Sequence, residues 1–131
     1  MTSYTYSVAS VLRTISDDYA LALFNAVAMG NHNVDSLKAT SNLSTKQYYS
    51  RMAALSKSYL IRKNGGKVSL TSLGKLVYDA QLIIQKGLHD LTRLKVIDSI
   101  EIAGDLSKDE TDSIISMLLD NNDIKTILEK H

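Results

Sequence analysis

Residues 60 to 70, LIRKNGGKVSL, limit the possible folds more than any other stretch of this chain. Two short arms with apolar outer ends meet at Asn64-Gly65-Gly66, residues suited to the positive-φ positions of a tight β-turn. Helical periodicity surrounds them on both sides. The chain must therefore seat one small hairpin among helices. It also crowds three cations, Arg62, Lys63 and Lys67, around the hairpin's tip.

The 131 residues contain no proline, and no repeat or low-complexity stretch is present, so element boundaries are read from Gly, Asn, Ser and Asp. Ser16 or Asp17 caps a first helix, placing acids at its positive end. Tyr19, Leu23 and Val27 give that helix an apolar face, and "MGNHN" ends it. Asp35 opens a short second helix with Leu37 as its core contact. That helix stops at Thr40-Ser41-Asn42, where Asn42 tolerates the left-handed conformation of a tight turn. Leu43 follows as an inward anchor. Ser44 and Gln47 form a Ser-x-x-Gln capping box that starts a third helix, over about 44–58. Tyr48, Met52, Leu55 and Tyr59 recur at spacings of 4, 3 and 4 on its buried face.

After the hairpin, Thr71 caps a fourth helix over 72–88. Leu73, Leu76, Val77, Ala80 and Ile84 lie at helical spacing along it, and Gly87 ends or bends it. Leu88, Leu91 and Leu94 fall on one side of a further helical stretch. Ser107 and Glu110 make another capping box, ahead of two short helical pieces at 111–121 and 123–131.

The length suits one domain with an appendage. With no cysteine, disulfides and thiolate metal sites are excluded. The longest apolar stretch, Tyr19 to Met29, is too short to span a bilayer, and the N-terminus does not resemble a secretory signal. A soluble cytoplasmic protein without membrane contact is expected. The formal net charge of +1 points to no partner, but its distribution does. No acid occurs between Asp35 and Asp79, a stretch holding Lys38, Lys46, Arg51, Lys57, Arg62, Lys63, Lys67 and Lys75. The chain from Asp98 onward is mainly acidic. A one-signed segment of this length attracts polyanions.

The order of these elements is that of a winged helix-turn-helix, and residues 42 to 75 resemble the DNA-binding core of MarR- and ArsR-like regulators, most closely small archaeal winged-helix regulators. The resemblance is carried by the Ser44-led helix, Leu55, Leu60-Ile61, Asn64-Gly65-Gly66 and Leu70-Thr71-Ser72-Leu73-Gly74, and it extends over about 16–87. Tyr59 stands where that pattern usually has Gly, which leaves the end of the third helix without its easiest left-handed residue. The resemblance implies a mainly α fold with a small β-hairpin. A winged-helix domain would occupy 1–87 (core 16–87), and a helical extension would follow over 88–131. That extension either pairs with its copy or folds back on the domain, and its acidity suits a protein partner.

As in other helix-turn-helix proteins, the N-terminal half of the helix over 44–58 would enter the major groove. Gln47 can pair with adenine, Lys46 or Arg51 can reach guanine or phosphate, and Thr45, Tyr49 and Ser50 flank them toward methyl groups, sugars and phosphates. Tyr48 shares the face of Met52 and belongs to the core. Arg62, Lys63 and Lys67 suit phosphate or minor-groove contacts. Catalysis is not expected, nor is any metal or cofactor. His32, His89 and His131 lack ligand spacing, "NGGK" lacks the spacing of a phosphate loop, and Asp17-Asp18 and Asp109-Glu110 read as helix starts.

The leading expectation is a homodimeric, sequence-specific double-stranded DNA-binding transcriptional regulator. The second is a winged-helix protein-interaction module of the transcription or replication machinery with weak nonspecific DNA binding. A single-strand or RNA binder is third, since one Phe, no Trp and scattered Tyr residues make a poor stacking platform.

Overall fold

Asp17, Asn33, Ser44 and Thr71 each end a loop by accepting a hydrogen bond from the first turn of a helix, and these caps set where four helices begin. The computed structural model describes residues 6–30 and 33–131. Within them the elements run α1 (Val8–Ile15), α2 (Asp18–Ala28), α3 (Val34–Ser41), α4 (Thr45–Lys57), β1 (Ile61–Asn64), β2 (Lys67–Leu70), α5 (Ser72–His89), α6 (Leu91–Ala103), α7 (Lys108–Leu118) and α8 (Asn122–Lys130). The described residues are mainly helical with a small antiparallel hairpin, as the sequence implies. Two compact units divide between Tyr78 and Asp79, inside α5. The sequence places the boundary later, at 87; α5 runs on past Gly87 to His89. One glycine within a helix costs only about 1 kcal/mol relative to alanine, and the rest of α5 outweighs it.

In the first unit Leu23, Phe24, Val27, Leu37, Tyr48, Met52, Leu55, Leu60, Ile61 and Val68 form a buried cluster. α2 supplies its face at the spacing read from the sequence, except that Tyr19 is 49% exposed. α1 adds a helix ahead of those expected, and Val8, Val11, Leu12 and Ile15 recur along it at helical spacing. Its cap is a Ser–Ser box, in which Ser10 N–H donates to Ser7 Oγ and Ser7 N–H donates to Ser10 Oγ, each at 3.1 Å. Val11 and Ile15 of this helix pack on the core. α3 starts one residue before Asp35, because Asn33 Oδ1 accepts from Ser36 N–H at 2.9 Å. Asn42 has φ 58°, the left-handed stop expected of it.

α4 ends where the resemblance raised a difficulty, and Tyr59 resolves it by taking the left-handed position itself, with φ 60°. Leu60 N–H reaches back to Leu55 O and Tyr59 N–H to Ser56 O, both at 3.0 Å. These are the two bonds of a Schellman stop, and Leu55 and Leu60 both lie in the buried cluster. Tyr59 is consequently turned outward and 53% exposed, so it does not continue the Tyr48–Met52–Leu55 face as its spacing suggests. A left-handed backbone redirects the side chain away from the helical periodicity.

Thr71 and Gly74 then launch α5. Thr71 is fully buried; its hydroxyl donates to Tyr59 O and accepts from Gly74 N–H. Gly74 lies against Leu60 O, where a β-carbon would collide. The Leu-Thr-x-x-Gly pattern is therefore a joint fastening the helix stop at 59–60 to the helix start at 71–74.

The second unit has its own apolar cluster of Ile97, Ile115, Leu119 and Ile124, with Ile83, Leu94, Leu118 and Leu128 packed against it. The Ser107–Glu110 capping box is formed as expected, and hydrogen bonds from Ser107 hold the Glu110 carboxyl below its ordinary range. Of the trio Leu88, Leu91 and Leu94, only Leu94 faces this cluster; Leu88 is 66% and Leu91 43% exposed. The first two lie on opposite sides of the α5–α6 break, so one helical period does not run through them. Among the described residues no helix is long and apolar enough to cross a membrane.

Candidate nucleic-acid interface

The capping box that starts α4 places Thr45, Lys46, Gln47, Tyr49 and Ser50 on its exposed side and Tyr48 in the core. Burial pushes the Tyr48 phenol up, so its hydroxyl remains a neutral donor. It donates to Val34 O at 3.2 Å. Val34 N–H in turn donates to Gly66 O at 3.1 Å, and Asn33 bridges to Lys67. The start of α4 and the tip of the hairpin are thus fastened to the same residue at the start of α3. This joint positions the expected reader helix against the hairpin, and no sequence spacing announces it.

The hairpin register pairs Ile61 with Leu70, Arg62 with Ser69, Lys63 with Val68 and Asn64 with Lys67. Gly65 alone of the two loop glycines has positive φ, 65°, the sign pattern of a type II′ connection. Cross-strand partners share a face, and successive residues alternate. Arg62, Asn64, Lys67 and Ser69 therefore share one face, while Lys63 belongs to the face of Val68 and Ile61. The three cations do not form one cluster, as their proximity in sequence suggests; the strand period separates Lys63 from the other two. Arg62, Asn64, Lys67 and Ser69 line an open groove, and Arg62 Nε donates to Ser69 Oγ at 3.2 Å, which holds the guanidinium across the hairpin.

Two expected base readers are already engaged. Gln47 Oε1 accepts from Ser44 N–H at 3.1 Å. Bidentate pairing with adenine uses that same oxygen, so the cap and base reading compete for its orientation. Arg51 Nε donates to Asp17 Oδ2 at 2.7 Å, and its guanidinium lies 5.5 Å from the Tyr19 ring centre. The ion pair turns Arg51 toward α2, and the hydrogen bond from Arg51 holds the Asp17 carboxyl below its usual range. Sequence spacing marks Asp17 and Tyr19 only as helix residues, because their partner Arg51 lies far along the chain.

Thr45, Lys46 and Ser50 are exposed. Tyr49 is 50% exposed, with its ring edge-on to Tyr48 and Lys38 Nζ 5.2 Å from its centre. Lys38 joins this face from α3. Its membership of the acid-free stretch was the available signal, though nothing in the sequence pairs it with Tyr49.

Of the histidines, His89 and His131 are exposed, and His32 lies outside the described residues. Among the described residues no cluster of three or more His, Asp or Glu is arranged to hold a metal ion. Compared with protein-family models, curated protein sequences and solved structures, the chain matches none.

Proposed function

We propose that α2 to α5, with the hairpin between them, form a winged helix-turn-helix, and that the protein is a homodimeric, sequence-specific double-stranded DNA-binding regulator of transcription. The observation that carries this reading is the joint at Val34, which fastens a basic, acid-free helix start to a cationic hairpin tip. A helix start presents backbone N–H groups and a positive dipole end to phosphate, and the hairpin adds fixed cations beside it.

Lys46, Thr45, Tyr49 and Ser50 are the residues assigned to the major groove, with Lys38 supporting Tyr49 from α3. Arg62 and Lys67 grip phosphate from one face of the wing, and Lys63 contributes from the other. Gln47 acts first as a cap, and Arg51 reads DNA only when it leaves Asp17. Phosphate contacts supply affinity and salt dependence, and base-edge contacts supply sequence choice.

Selection of bound duplexes from a random pool, followed by titration against salt, tests this reading. A recurrent sequence bound more tightly than random duplex is the expected result. Absence of duplex binding even at low salt would end the proposal. Weak, sequence-indifferent binding would instead favour a winged-helix protein-interaction module, for which the acidic chain after Asp98 is the docking candidate.

A further inference from the structure

α6 presents a second face besides the one it buries. Ile97 is 2% exposed and belongs to the second unit's core. About 130° round the helix from it, at 100° per residue, runs the stripe Leu91, Lys95, Asp98 and Ile102. Leu91 is 43% and Ile102 85% exposed, and both charged residues are exposed as well. Among the described residues neither Lys95 nor Asp98 has an ion-pair partner. At 85% exposure Ile102 is the most exposed large apolar side chain among the described residues.

The order along the stripe is apolar, positive, negative, apolar, at spacings of 4, 3 and 4. It reads as its own complement when reversed. Two α6 helices laid antiparallel about a twofold axis midway between Val96 and Ile97 bring Leu91 opposite Ile102 of the other copy, and Lys95 opposite its Asp98. Each contact then occurs twice, as an isologous interface requires. The neighbouring positions add no like-charge clash: Thr92 falls opposite Glu101, and Leu94 opposite Ser99. A parallel pairing would set Lys95 against Lys95 and Asp98 against Asp98. The charge order therefore favours one partner and one direction.

We infer that this stripe of α6 is a self-docking surface on which a second copy of the chain pairs antiparallel. The inference rests on the homodimer reading above and names the residues that would make it: two apolar pairs at the ends of a seam about 16 Å long and two ion pairs at its centre. The apolar pairs supply adhesion, and the charges supply direction and register.

The test uses the full chain and its mass in solution by sedimentation. Lys95→Glu sets two acids opposite each other at both symmetric positions, and Asp98→Lys sets two lysines there. Each variant alone is expected to dissociate about tenfold or more readily than wild type. An equimolar mixture of the two places Glu opposite Lys and Asp opposite Lys throughout, so it should regain the dimer as a mixed species. The double variant K95E/D98K should regain it by itself. All these changes are at exposed positions, and unchanged helical circular dichroism would separate a docking effect from unfolding.

If the wild type is a dimer but the single reversals leave it intact, or if mixing restores nothing, the surface is overturned while the homodimer reading stands. A wild type that stays monomeric at the highest soluble concentration overturns both, and leaves this face to a different protein. Duplex binding measured on the same samples judges the DNA reading separately.

Discussion

Gly74 lies against the carbonyl oxygen of Leu60, at a separation that leaves no room for a β-carbon. The contact holds the first turn of α5 directly on the chain leaving α4, and Thr71 locks it by bonding to both Tyr59 O and Gly74 N–H. Gly74→Ala is expected to destabilise the first unit by about 3 kcal/mol, since backbone rather than a flexible side chain must yield. Gly87→Ala is the control: its β-carbon would meet Leu94 Cδ1 at an ordinary 3.9 Å. Within a helix that change should stabilise by up to about 1 kcal/mol. Denaturant melts of the two variants decide the matter.

Tyr59 occupies a left-handed position with an exposed side chain. Replacing it with Gly removes the steric cost of that conformation, partly offset by greater freedom of the unfolded chain. Tyr59→Gly should therefore raise stability by about 0.5–1 kcal/mol, and Tyr59→Val should lower it. A thermal melt in which Gly is markedly worse than Tyr would show that the ring makes a stabilising contact of its own.

The Tyr48 hydroxyl serves the joint at Val34, whereas its ring serves the core. Tyr48→Phe is expected to keep the fold at a cost of about 1 kcal/mol, and to loosen the hairpin tip from the start of α4. Amide exchange at Val34 and Lys67 should quicken in that variant more than at core positions such as Met52. Tyr48→Ala removes the ring as well and should cost about 3–5 kcal/mol.

Asp17 and Arg51 link the start of α2 to α4 through a partly exposed ion pair. The Asp17 carboxyl titrates lower in the folded protein than in the unfolded chain. Its stabilising contribution is thus present above the unfolded value of roughly 4 and is lost as pH falls through the lower folded value. Asp17→Asn keeps a capping side chain and removes the charge. Near neutral pH it should cost less than about 1 kcal/mol, given solvent screening, and the difference from wild type should vanish in acid. In duplex titrations the same change should release Arg51, tightening binding and steepening the salt dependence by about one counterion.

Gln47 can be separated into cap and reader. Gln47→Glu preserves a Ser-x-x-Glu box and should leave the melting curve within about 0.5 kcal/mol of wild type. It also removes the amide donor and adds an anion to the first turn of α4. Duplex affinity should fall for all sequences, while Gln47→Ala should cost cap stability with a smaller loss of binding. Equal binding by wild type and Gln47→Glu would place this residue away from DNA.

The sequence by itself determined the elements whose causes are local. The capping boxes at Ser44 and Ser107, the left-handed stop at Asn42, the Asn-Gly-Gly turn and the Thr71 cap each depend on a few neighbouring residues. So do the buried positions Tyr48, Met52 and Leu55. α1 was legible too, in the helical spacing of Val8, Val11, Leu12 and Ile15, but its Ser7–Ser10 cap lacks the Glu or Gln that marks the other boxes.

Tertiary structure decided what those side chains do once distant segments meet. It engaged Arg51 with Asp17, brought Lys38 to Tyr49, and joined α4 to the hairpin tip through Val34. It also turned Tyr59 outward. None of these has a periodicity to read, because their geometry arises only when the core brings together residues separated along the chain. Lys63 parted from Arg62 and Lys67 for a different reason: the strand alternates its side chains, and the face each took depended on where Ile61 and Val68 were buried. The basic stretch was plain in the sequence, but which cations stand free and which are already held was settled by packing.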